Sequence, residues 1–127
     1  MIHLHELALG NFVYDGDRTK FPMFVETIGW DYVYLNFMGN EGDVFESVPE
    51  DLEGIPLTGE LLEKCGFTLK DGLWRHKWGI KVKPEAGFVF IENKDEYGGC
   101  TCKDIWYLHQ FQNLVRIITK KELLIKI

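Results

Sequence analysis

Residues 67–78 place the tightest constraint on the fold. Two short strand-type segments, Phe67-Thr68-Leu69-Lys70 and Leu73-Trp74-Arg75-His76-Lys77-Trp78, are separated only by Asp71-Gly72. A connection of two residues suits a type I′ turn, which needs positive φ at both central positions, and Asp-Gly tolerates that conformation. The flanks then run antiparallel, which excludes an all-helical fold. Upstream, residues 10–14, 23–28, 31–37 and 43–48 are short segments rich in β-branched and aromatic side chains. They are broken by Asp15-Gly16-Asp17-Arg18, by Gly29 and by Gly39-Asn40-Glu41-Gly42. Four or five such strands predict a small curled antiparallel sheet, an SH3-like barrel in type.

The pattern changes at Pro49-Glu50-Asp51-Leu52-Glu53-Gly54. This marks the expected boundary between a β-barrel-like subdomain, residues 1–54, and an α+β subdomain, residues 55–127, together one compact unit. Thr58 is placed to cap a helix over residues 59–65, with Glu60 and Glu63 near its start and Gly66 as its stop. Residues 87–93 are apolar on both faces and predict a central strand, and residues 94–102 read as a polar loop. Asp104 is placed to cap a longer helix running to Thr119, and residues 123–127 to return as a last strand. The expected class is α+β: an N-terminal sheet, then a helix, a β-hairpin, a central strand, a longer helix and a short C-terminal strand.

A chain of 127 residues with 46% hydrophobic and 27% charged side chains is not a disordered polymer. No apolar run approaches the ~18 residues of a membrane-spanning helix, so no membrane partner is expected. The start, Met1-Ile2-His3-Leu4-His5-Glu6, lacks the basic and then apolar pattern of a signal peptide, which predicts a cytoplasmic protein. The net charge of −6 is uneven: residues 1–54 carry two basic and eleven acidic groups, residues 55–127 twelve basic and nine acidic. Such a chain is not expected to bind duplex nucleic acid, which relies on neutralising many phosphates. Opposed charge on its two halves, with many aromatic strands in a small chain, predicts a homo-oligomer, most simply a dimer. Cys65, Cys100 and Cys102 cannot all pair and read as reduced thiols. Cys100 and Cys102 with His3 and His5 offer zinc donors, but the spacing is not that of a standard knuckle; neither metal nor other cofactor is expected.

Two constellations carry candidate chemistry. Lys70, Arg75, Lys77, Lys81 and Lys83 stand against the single acid Asp71. Strand alternation puts Arg75, Lys77, Lys81 and Lys83 on one face, and Trp74, His76, Trp78, Ile80 and Val82 on the other. The functional reading is a strip that meets phosphates, with Trp74, Arg75 and Lys77 as ligand-binding residues. The alternative is that the tryptophans are core and the lysines merely solvated. On the longer helix, Tyr107, Leu108, Phe111, Leu114, Val115 and Ile118 share an apolar arc, while His109, Gln112, Asn113 and Arg116 share a polar one. That stripe offers donors, acceptors, an imidazole and a fixed cation. It either holds a phosphate or ribose, or stitches the helix to its neighbours. No phosphate-cradling glycine loop or nucleophile elbow occurs, and Asp15 and Asp17 read as turn chemistry, so no catalytic residue is assigned.

Four segments, residues 7–13, 55–67, 108–114 and 122–123, resemble a group of small proteins from phages, prophages and mobile elements of Bacteroides-type gut bacteria. Leu7-Ala8-Leu9-Gly10-Asn11-Phe12-Val13 is similar to that group's opening, and residues 55–67, Ile-Pro-Leu-Thr-Gly-Glu-Leu-Leu-Glu-Lys-Cys-Gly-Phe, to its proline-threonine helix start and glycine-phenylalanine stop. Leu108-His109-Gln110-Phe111-Gln112-Asn113-Leu114 resembles its late helix, and Glu122-Leu123 its closing strand. The chain departs from the group at Lys120-Lys121, where glycine usually follows threonine, and at Arg116, where an aromatic is commoner. The resemblance implies phage or mobile-element origin and action in the host cytoplasm, and carries no activity or catalytic residue. The expectation is a non-catalytic binding protein in counter-defence, with a small nucleotide-like ligand such as an immune signal. The rival expectations are an inhibitor that covers a host protein with its acidic half, and a small nucleotide hydrolase.

Overall fold

The alternating segments of the first half become five short strands: β1 (Phe12–Asp15), β2 (Met23–Ile28), β3 (Val33–Asn36), β4 (Phe45–Ser47) and β5 (Leu52–Gly54). They belong to a computed structural model that describes residues 2–16, 21–42, 44–92 and 98–126. The chain divides into two units, Met1–Ile55 and Pro56–Ile127. In the first unit the strands pair antiparallel in the order β4-β3-β2-β1-β5. Val13, Met23, Val25, Val33, Leu35 and Leu52 turn inward and pack with Ile2 and Leu7. An irregularity between Val25 and Thr27 shifts the β2–β3 register, which sharpens the local twist. Asp17, Arg18 and Asp43, which fall in the expected turn and fourth strand, lie outside the described residues.

Residues 49–54 are more than a boundary. Pro49–Asp51 forms a 3-10 turn, and the next three residues are β5, paired with β1 through Val13↔Gly54 and Asp15↔Leu52. Proline presets the φ that such a turn needs at its start. The pairing itself uses backbone groups, so it leaves little trace in side-chain alternation.

In the second unit, Thr58 Oγ1 accepts from Leu61 N at 3.2 Å and caps α1 (Gly59–Lys64). Gly66, at φ 88°, turns the chain out of the helix. Five strands follow: β6 (Thr68–Lys70), β7 (Leu73–His76), β8 (Ile80–Lys83), β9 (Phe88–Glu92) and β10 (Gly99–Cys102). They form an antiparallel meander in the order β10-β9-β8-β7-β6. Asp71 (φ 55°) and Gly72 (φ 79°) make the expected tight turn between β6 and β7.

Four expectations for this unit are corrected. The strand expected to run on through Lys77 and Trp78 bends back at residues 77–79, where Gly79 has φ 78° and donates to His76 O at 3.0 Å. A three-residue loop ending in a left-handed glycine is a common hairpin closure, and Lys77 sits in that turn rather than on a strand face. Within the expected loop of residues 94–102, β10 pairs with β9 from Gly99↔Glu92 to Cys102↔Val89; residues 94–97 lie outside the described residues. The longer helix, α2 (Leu108–Thr119), begins after Tyr107, and Asp104 has φ 62° and does not cap it. Instead Gln110 Oε1 accepts from the backbone N–H of Trp106 (3.0 Å) and Tyr107 (3.2 Å). Of the expected last strand, residues 123–126 form no strand, and Ile127 lies outside the described residues. Lys120 ends α2 in the left-handed region (φ 61°), and Lys126 N then donates to Lys64 O at 3.0 Å. A helix end offers single carbonyls, not a ladder. Among the described residues, no helix is long and apolar enough to cross a membrane.

Candidate ligand pocket

Three segments distant in sequence meet around a pocket of about 470 Å³ in the second unit. The last turn of α1 and the start of β6 supply Glu63, Lys64, Cys65, Gly66 and Thr68. The β7 end and its turn supply Arg75, His76, Lys77 and Trp78, and the tail after α2 supplies Leu124 and Lys126. The glycine that stops α1 and the bond from Lys126 N to Lys64 O bring these pieces together. Four basic residues, Lys64, Arg75, Lys77 and Lys126, and one acidic residue, Glu63, thus line the pocket.

His76 lies between two aromatic rings, 4.9 Å from Phe67 and 4.6 Å from Trp78 by centroids. Its Nδ1 accepts from Trp78 N at 3.1 Å. That leaves the neutral ring's proton on Nε2, which lies beside Gly66. Burial, and then the Lys77 charge, hold the His76 pKa below its ordinary value, which favours the neutral donor form. The Cys65 thiol is pushed up to about 12 by burial, so it remains protonated and is a poor nucleophile near neutrality. Trp78 carries Lys121 Nζ 5.1 Å from its ring centroid.

Arg75 and Lys77, the two cations assigned to the hairpin strip, therefore line one pocket, and Arg75 Nε donates to Lys70 O at 3.4 Å. Trp74 does not line it. Its indole lies against Gly59, where an added Cβ would meet Cζ2 at 2.7 Å. The α2 stripe lies elsewhere: His109 and Gln112 are buried, with 2% and 5% of their surface exposed. His109 stacks on Tyr107 with centroids 6.0 Å apart. Arg116 donates to Asn113 Oδ1 at 2.6 Å and approaches Glu122 at 3.5 Å. Lys64, His76 and Lys126 were not singled out as ligand residues by sequence reasoning. Spacing carries no sign that positions 64, 76 and 126 converge.

Cys100 and Cys102, the cysteine half of the zinc pattern, have Sγ atoms 3.6 Å apart on β10. Among the described residues, no three His, Cys, Asp or Glu side chains form a metal-ligating group. Comparison with protein-family models, curated proteins and solved structures finds no match for this chain.

Proposed function

We propose that this chain is a non-catalytic binding protein of phage or mobile-element origin that holds a nucleotide-like, phosphate-bearing small molecule in the pocket at the end of β7. The observation that carries this reading is the convergence of four cations on a pocket of about 470 Å³ against one carboxylate. That volume falls in the ~300–1,000 Å³ range of small-molecule sites. Phosphate oxygens take charge-assisted hydrogen bonds from Lys and Arg, and the neutral His76 adds an Nε2–H donor. Trp78 supplies an aromatic surface at the same rim. In the host cytoplasm, binding without turnover lowers the free concentration of an immune signal, which is a counter-defence.

Thermal melts with a panel of cyclic and linear adenine and guanine nucleotides test this. At least one is expected to raise the melting temperature of the wild type and not of Lys126→Glu. No rise with any nucleotide overturns the reading, and release of a hydrolysed product overturns its non-catalytic part.

A second reading, inhibition of a host protein through the acidic half, is favoured by Trp30. Its side chain is 94% exposed at the β2–β3 connection, beside Asp31, and Met38 is 62% exposed in the same unit. An exposed tryptophan in a field of carboxylates suits a partner with an apolar notch on a basic surface. The SH3-like reading of this unit is supported by its strand order, in which β5 returns to β1 after a single 3-10 turn.

A further inference from the structure

The β6–β10 sheet has two faces of opposite character. Ile80, Val82, Val89 and Ile91 are fully buried on one. On the other, the register sets Lys81 directly beside Phe90 and Lys83 directly beside Phe88. A lysine–phenylalanine pair is thus repeated at a two-residue step, about 6.6 Å along the strands. Arg75 stands next in line, beside Lys81 on β7.

Both phenylalanines are only partly buried. The Phe90 ring lies over Gly99 of the neighbouring strand, where an added Cβ would come within 2.5 Å of Phe90 Cζ. Glycine at that position lets the ring lie across the sheet. Lys81 Nζ stands 5.6 Å from the centroid of the same ring. Glu92 is the one carboxylate among the strand residues of this face. Phe88, Phe90, Lys81 and Lys83 do not line the pocket.

We infer that this face binds single-stranded nucleic acid, two successive bases stacking on Phe88 and Phe90 while Lys81, Lys83 and Arg75 meet the phosphates. Aromatic side chains on an open sheet, flanked by cations, are what an unpaired strand needs, because each base presents a π-face and each linkage a charge. A duplex keeps its bases stacked inside and has no use for the rings. Arg75 also lines the pocket, but Phe88, Phe90, Lys81 and Lys83 do not, so the inference stands whether or not the pocket holds a nucleotide.

Fluorescence anisotropy of labelled eight-nucleotide RNA and DNA single strands, with a duplex control, tests this on the full chain. One or both single strands are expected to bind, and the duplex is not. Each phosphate contact contributes about 0.7 to the slope of log affinity against log salt for single strands. Lys81→Ala/Lys83→Ala should therefore reduce that slope by about 1.4. Phe90→Leu keeps apolar bulk but removes the stacking face, and should weaken binding roughly five- to 150-fold with an unchanged melting temperature. Lys126→Glu, a pocket variant, should leave oligonucleotide binding within twofold. Failure of both single strands to bind at 0.1 mM probe, equal binding of the duplex, or binding insensitive to Phe90→Leu and to the lysine pair would overturn the assignment.

Discussion

Replacing Gly59 by alanine tests whether Trp74 is a fixed part of the fold rather than a platform free to stack on a ligand. Gly59 opens α1, and the Trp74 indole lies over it, so an added Cβ would stand 2.7 Å from Cζ2 and 3.1 Å from Cε2. Two effects oppose each other. Helix preference favours alanine over glycine by at most about 1 kcal/mol, and by less in a first turn. A carbon pair at 2.7 Å is far inside the ~3.5–4.0 Å optimum, and relieving such an overlap by moving a packed ring costs about 1–3 kcal/mol. The overlap wins. Gly59→Ala is expected to lose about 1 kcal/mol, or roughly 3–6 °C in melting temperature. Urea unfolding followed by tryptophan fluorescence measures the loss. A double-mutant cycle isolates its cause, because in a Trp74→Ala background the same glycine substitution becomes neutral or stabilising. A Gly59→Ala protein as stable as the wild type, with Trp74 in place, would refute the reasoning.

His76 is held below its ordinary pKa of 6.5, chiefly by burial and then by Lys77, so the unfolded chain binds more protons between the two values. Stability is then fully present above pH 6.5 and falls as the pH drops through that window. Urea melts at pH 7.5 and 5 should show a loss that His76→Gln reduces. With the Cys65 thiol pushed up to about 12 and buried, a thiol reagent at pH 8 should label Cys100 and Cys102 and reach Cys65 only in denaturant. Gln110→Ala removes the acceptor for two backbone N–H groups before α2 and should cost ~0.5–2 kcal/mol in chemical denaturation. Sedimentation at micromolar concentration is expected to show a dimer of the 14.8 kDa chain; a monomer alone would remove that expectation.

What was legible in the sequence was local. Thr58 and Gly66 bracket α1 as a cap and a stop should, and Asp71-Gly72 adopts the two positive φ angles its composition suggested. The turn at residues 77–79 escaped for a geometric reason. His76 pairs with Ile80, so a three-residue loop returns the chain with its side-chain parity unchanged. Period-2 counting from Trp74 to Val82 therefore cannot separate one strand from a hairpin; only Gly79 marks the difference. β10 escaped because Gly-Cys-Thr-Cys pairs at an edge through its backbone, with little apolar alternation. Of the hairpin cations, Arg75 and Lys77 carried a visible charge signal, whereas Lys64 and Lys126 enter the pocket through the stop of α1 and a bond at the far end of the chain. The α2 stripe was visible as a pattern, but periodicity does not report which polar side chains a fold buries.

The backbone amide spectrum of nitrogen-labelled protein, titrated with the same nucleotide panel, tests the pocket most directly because it both detects a ligand and locates it. The account predicts saturable shifts at Gly66, Thr68, Lys77 and Lys126, whose segments meet around the pocket, with Trp30 unmoved. An unchanged spectrum with every nucleotide, or shifts centred on His109, Gln112, Asn113 and Arg116 instead, would contradict it.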